Sequence, residues 1–231
     1  MTNIVGYELR DGVAIVTMDD GKANALSDTM IGELLAALDR AQGEASAVVL
    51  TGRPDKFCAG FDLRAMMSGP EGAIALLRKG SELLNRLFML PLPLVIAGTG
   101  HALAGGALVV LTGDVRYSAD GAYKIGLNEV AIGLPVPTLA MELARARLLP
   151  TELSRATLTA QIYAPADAVR AGWVDHVVPA SELAGAAFAE AARLGKLPRA
   201  AYVGTKQRLR GAIVAMIEGS IESDLARAMN R

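Results

Sequence analysis

The period of the apolar positions changes along the chain, and that change predicts its elements. Val13-Ala-Ile-Val-Thr-Met18 is β-rich and lies between Asp11-Gly12 and Asp19-Asp20-Gly21, so it predicts a strand between turns. After the loop Lys22-Ala-Asn-Ala-Leu26, Ser27 is placed to cap a helix, because its hydroxyl can accept from the free amides of the next turn. Met30, Ile31, Leu34, Leu35 and Leu38 then recur at helical spacing, and Gly43 is expected to close the helix. Ala47-Val-Val-Leu-Thr51 reads as a short strand buried on both faces. A loop is expected over residues 52–60, a helix over about 71–90, and a buried strand at Leu94-Val-Ile-Ala97. A small-residue helix should open at Gly105, and short strands are candidates at Val115-Arg-Tyr-Ser118 and Tyr123-Lys-Ile125. From about Thr138 the pattern is helical, broken at Pro150, Pro165 and Pro198. Strand–helix alternation first and helices last predicts an α/β core with a helical extension.

Residues 87–113 carry no Asp, Glu, Lys or Arg, which is enough length to span a bilayer as one helix. Pro91, Pro93, Gly98, Gly100, Gly105 and Gly106 argue against one helix, since a proline costs about 3 kcal/mol in a helix interior. Three buried pieces are expected instead: a helix end, a strand, and a glycine turn opening a second helix.

Composition narrows the function classes. Of 231 residues, 52% are hydrophobic and 20% charged, which excludes a disordered chain. Lys plus Arg is 23 and Asp plus Glu is 24, a net charge of −1, so no basic excess points to nucleic acid. One cysteine, Cys58, and two separated histidines, His101 and His176, offer neither a disulfide framework nor a metal motif. The first residues, Met1-Thr-Asn-Ile-Val-Gly-Tyr-Glu, lack a basic n-region and a long apolar stretch, so no signal peptide is expected. The composition reads as a cytoplasmic globular protein.

Chemistry could sit at three places. Phe57-Cys-Ala-Gly-Phe-Asp-Leu63 follows a buried strand, and Gly60 allows a sharp turn after which amides can converge. Gly98-Thr-Gly-His-Ala-Leu-Ala-Gly-Gly106 also follows a strand and opens a helix, whose free amides suit an oxyanion. Glu129 stands among apolar residues in Ile125-Gly-Leu-Asn-Glu-Val-Ala-Ile-Gly-Leu134, and burial there would raise its pKa towards that of a proton shuttle. Taken singly, the first reads more readily as an ordinary loop and the third as a solvated glutamate, while the second is equally a close helix–strand contact.

Together, and in this order, they resemble the crotonase superfamily, the enoyl-CoA hydratase/isomerase family. The resemblance runs from the Lys22–Leu26 loop motif to Ala171-Gly-Trp-Val-Asp175. It implies a crotonase-like spiral of β-β-α units over residues 1–175, with a helical C-terminal trimerisation region over 176–231. It implies a homotrimer or homohexamer acting on an acyl-CoA thioester, with no cofactor beyond the substrate's own coenzyme A, no metal, no nucleic acid and no membrane. The catalytic groups carried over are Glu129 as acid/base and the amides of Phe61 and Gly105 as oxyanion donors. Such donors are each worth roughly 3–4 kcal/mol in a water-poor site. Lys22, Ala23, Ala25, Ala59, Gly60, Asp62, Leu63, Arg64 and Leu108 are the implied substrate contacts, with Arg64 facing a phosphate and Asp62 also bracing its loop. The C-terminal segment 206–231 is short for the family, which leaves one CoA-binding cation missing or supplied by a neighbouring subunit.

One departure matters. A hydratase of the family holds water between two glutamates, and the first position is Leu108 here. A single carboxylate suits double-bond isomerisation, as in the Δ3,Δ2-enoyl-CoA isomerases that Gly126-Leu-Asn-Glu129 resembles. The alternatives are a hydratase, with Asp20 or His101 standing in for the missing acid, and an acyl-CoA binder without turnover.

Overall fold

The computed structural model describes residues 3–229. Met1 and Thr2, which begin the segment read for a leader, and Asn230 and Arg231, which end segment 206–231, lie outside the described residues.

The order is β1 (Val5–Arg10), β2 (Val13–Met18), α1 (Asp28–Glu44), β3 (Ala47–Gly52), β4 (Asp55–Cys58), α2 (Leu63–Met66) and α3 (Pro70–Phe88). There follow β5 (Leu94–Gly98), β6 (Gly100–Leu103), α4 (Gly105–Thr112), β7 (Val115–Ala119) and β8 (Ile125–Gly126). The rest is α5 (Thr138–Arg147), α6 (Pro150–Thr157), α7 (Pro165–Ala171), β9 (His176–Val178), α8 (Ala180–Leu194) and α9 (Arg199–Met229). The larger sheet has the order β1-β2-β3-β5-β7-β9, and the smaller has β4-β6-β8. Among the strands of the described residues, only β1 and β2 pair antiparallel. The chain passes repeatedly from a strand of the larger sheet to a strand of the smaller one and then into a helical segment, so each β-β-α unit stacks on the last.

The period-2 geometry of a strand explains why the larger sheet is apolar on both faces. Val48 and Leu50 of β3 enter the main core with α1, α3 and α4, while Ala47 and Val49 join Val95 and Ala97 under Leu183, Ala187 and Ala191 of α8. Ser27 caps α1 as expected, its Oγ accepting from the Met30 amide at 3.2 Å. The helix does not close at Gly43: it runs to Glu44, whose carboxylate pairs with Arg40 one turn back at 2.8 Å.

Several elements depart from the expected pattern. β1 is mostly exposed, so its residues lack a clean apolar alternation. β4 and β6 occupy stretches that read as loops, because four-residue strands rich in glycine and polar residues show no period. β9 interrupts the helical C-terminal pattern and extends the larger sheet beside β7. The uncharged stretch 87–113 resolves into the end of α3, then β5, β6 and α4. No helix of the described residues is long and apolar enough to cross a membrane.

The last helix is fastened by buried charge. Asp114, just beyond α4, accepts from the Leu94 amide at 2.7 Å, Lys206 Nζ at 2.9 Å and Tyr202 Oη at 2.5 Å, and pairs with Arg210 at 3.0 Å. Lys206 also donates to Leu90 O and Arg210 to Phe88 O, satisfying carbonyls at the end of α3. Burial, aided by Arg210 and Arg147, lowers the Lys206 pKa to about 8 against the pull of Asp114.

Candidate active site

The smaller sheet positions the site. Its three strands are parallel and leave the sheet at one edge. Phe61 lies three residues beyond β4, Gly105 two beyond β6, and Glu129 three beyond β8. The C-terminal ends of parallel strands are where loops converge in α/β folds.

Two of these loops touch directly. A methyl group built on Gly60, which has φ +97°, would stand 3.0 Å from Leu103 O and 3.2 Å from the Gly105 nitrogen. One built on Gly106 would stand 2.1 Å from Cys58 O, so only glycine lets α4 seat on the end of β4. Ala104, immediately before α4, adopts φ 48° and ψ −123°, a backbone conformation that side chains rarely take and that functional turns retain. The third loop is tied in by the Ala104 amide, which donates to Gly126 O at 3.0 Å.

The loop of residues 22–26 runs beside residues 59–62. Ala59 N donates to Ala23 O, Leu26 N to Gly60 O, and Asp62 N to Leu26 O. In this parallel pairing Leu26 bonds to the residues flanking Phe61, so the Phe61 N–H is directed away from it. The Gly105 N–H opens a helix and has no intrahelical acceptor. Asn24 locks the same loop: fully buried, its Nδ2 donates to Met18 O at 2.9 Å and Lys56 O at 3.0 Å. Asn24 sits at φ 53°, a left-handed conformation that asparagine tolerates; in the sequence, its only signal is an asparagine between Ala23 and Ala25.

Of the other predicted residues, Asp62 caps α2, accepting from the amides of Arg64 at 2.8 Å and Ala65 at 3.4 Å. Lys22 and Ala59 are exposed on these two loops and Leu63 and Arg64 at the start of α2, Ala23 and Ala25 are half-buried, and Leu108 is buried in α4. Glu129 is half-buried, with Oε2 enclosed and without a hydrogen-bond partner. Burial pushes its pKa up, while the backbone amides of Glu129 and Asn128 pull it down. Among the described residues no second carboxylate contributes to that shift. The Cys58 thiol is pushed up to about 12 by burial, which leaves it unreactive. Among the described residues no cluster of three His, Cys, Asp or Glu groups is placed to hold a metal.

The amides of Phe61 and Gly105 and the carboxylate of Glu129 thus each follow the C-terminal end of a strand of the smaller sheet. The chain matches the enoyl-CoA hydratase/isomerase family over residues 8–225. It belongs to that family, has the crotonase fold, and is an enzyme. It is 32% identical to the human mitochondrial enoyl-CoA delta isomerase 1 over 219 residues, 93% of this chain and 72% of the relative. It is 33% identical to a probable enoyl-CoA hydratase of Rhodobacter capsulatus over 217 residues, 90% and 82% of the two chains. The crystal structure of an enoyl-CoA hydratase/isomerase family protein from Pseudomonas syringae superposes with a TM-score of 0.94 at 40% identity, covering 96% of this chain and 97% of that one.

Proposed function

We propose that this enzyme moves the double bond of a 3-enoyl-CoA thioester into conjugation with the carbonyl. The observation that carries the reading is the lone Glu129 carboxylate, desolvated and with a free buried oxygen, in a site whose other position is the buried Leu108. Glu129 takes the proton from C2, and the C2–H electrons shift towards the carbonyl to give a dienolate. The amides of Phe61 and Gly105 hold the oxyanion. Glu129 then returns the proton to C4, leaving the double bond between C2 and C3. No water is required, and the apolar Leu108 keeps water away. Residues 22–25 and 59–64 take the coenzyme A portion, with Lys22 and Arg64 as its exposed cations.

Hydration would need a second acid, and the two stand-ins are engaged elsewhere. Asp20 accepts from the amides of Lys22 and Asn24, and His101 Nδ1 accepts from the Lys124 amide at 3.1 Å. Incubation with 3-enoyl-CoA and with 2-enoyl-CoA, following both interconversion and water addition, tests the reading directly. Wild type is expected to isomerise faster than it hydrates. Leu108→Glu should narrow that gap by about 10-fold or more, the lower end of what an acid/base group contributes. It should also lower stability by roughly 1–3 kcal/mol if its charge stays unpaired. A wild-type enzyme that hydrates better than it isomerises would overturn the single-carboxylate reading.

We place the reaction in the cytoplasm, where a lone buried thiol such as Cys58 stays reduced. We also propose a homotrimer or homohexamer. Val130, Ile132 and Leu134, directly after Glu129, are 41%, 57% and 46% exposed, an apolar edge that a second subunit would cover. Light scattering should report a trimer or hexamer at micromolar concentration, and a monomer would count against this assembly.

A further inference from the structure

The Phe61 side chain rests between two helices. A methyl group built on Gly80 of α3 would stand 2.1 Å from Phe61 Cε1 and 2.5 Å from Cζ. One built on Gly105 of α4 would stand 3.1 Å from Cδ2 and from Cε2. Opposite edges of the ring therefore bear on the two helices. Gly80 is buried in the middle of α3, where glycine costs about 1 kcal/mol relative to alanine. Its backbone is ordinary helix, so clearance for the ring is the reason glycine stands there.

We propose that the Phe61 ring, wedged between Gly80 and Gly105, sets the width of the acyl channel beside the thioester carbonyl and selects straight chains over branched ones. This rests on the acyl-CoA reading above. The residue whose amide meets the carbonyl oxygen also carries the ring, so the first carbons of the acyl chain must pass within a side chain's reach of it. Just past Phe61 in the chain, α2 and its C-cap present Leu63, 69% exposed, and Met67, 84% exposed, as apolar surface along which a chain can run. A branch near the carbonyl needs the volume that the phenyl group fills.

Binding separates this selection from catalysis. Hexanoyl-CoA and 2-ethylbutanoyl-CoA have the same atoms and differ only in branching, and neither can be isomerised. Titration calorimetry should show wild type favouring the straight chain. Phe61→Ala should reduce that preference about 10-fold, the lower end of what a pocket gains from fitting a methylene. Phe61→Leu, which keeps more of the core filled, should reduce it less and serves if the alanine variant does not fold. Gly80→Ala should displace the ring and weaken binding of both esters. In the Phe61→Ala background it should have almost no effect, because the two positions couple through the ring. A preference unchanged in Phe61→Ala and Phe61→Leu, with both esters still bound, would overturn the inference and leave the acyl-CoA reading intact. Binding of neither ester by wild type would overturn the acyl-CoA reading itself, and the inference with it.

Discussion

Glu129→Gln is expected to abolish enoyl-CoA turnover and leave acyl-CoA binding in place. The amide keeps the shape of the side chain and cannot take a proton, and loss of a general acid–base group costs about 10²–10⁴-fold in rate. The pH dependence adds a second readout. Burial raises the Glu129 pKa above the ordinary glutamate value. Activity needs the carboxylate, so it should rise with pH through that elevated value and be lost below it. Stability should move the other way. The folded state holds the Glu129 proton more tightly than the unfolded chain, so the stability this group contributes is present below the ordinary glutamate pKa. It is lost as pH rises through the folded value. Glu129→Gln should remove that slope and melt no lower than wild type near neutral pH, a gain in stability bought with activity. Isomerisation by the variant at the wild-type rate would show that Glu129 is not the base.

Gly105→Pro should reduce kcat by roughly 10²–10³-fold, the effect of removing one oxyanion donor. Proline is tolerated at the first position of a helix because the amide there has no intrahelical acceptor. The variant therefore deletes the proposed donor without breaking the α4 hydrogen-bond ladder. It also adds a Cβ, which would meet the Phe61 ring at 3.1 Å and Leu26 Cδ1 at 3.3 Å. Gly105→Ala adds the same Cβ and keeps the N–H, so the difference between the two variants isolates the amide. Steady-state kinetics should be read beside thermal melts, since Ala104 already sits in a strained conformation before this position. A folded proline variant with the kinetics of the alanine variant would exclude this amide from the site.

The parts of the fold that were legible in the sequence are those with a strong period or a local chemical signal. The Ser27 cap, the apolar face of α1 and the buried strands β3 and β5 all follow from spacing. The strand ends before Phe61 and Gly105 were legible as glycine turns, but the strands β4 and β6 that align them were not. They pair across a separation of more than forty residues and carry no alternation of their own. The burial of Lys206 and Arg210 has no signature in the sequence, because a buried cation looks like an exposed one until its carboxylate is seen. The Gly80–Phe61 contact was hidden for a similar reason: each residue is unremarkable until the other is placed.

The Asp114 cluster gives α4 the character of a strut fixed at both ends. The helix has eight residues, a length of about 12 Å at 1.5 Å per residue. At its start Gly106 is seated on the Cys58 backbone, and just past its end Asp114 is gripped by Lys206, Arg210 and Tyr202. The oxyanion donor proposed at Gly105, carried on such a strut, would not have to swing into place when charge gathers on the thioester oxygen. The anchorage comes from Tyr202, Lys206 and Arg210 of α9, at the other extreme of the chain from the strand ends. A chain cut short before α9 would keep every residue proposed for the site and lose the anchorage that holds Gly105 still.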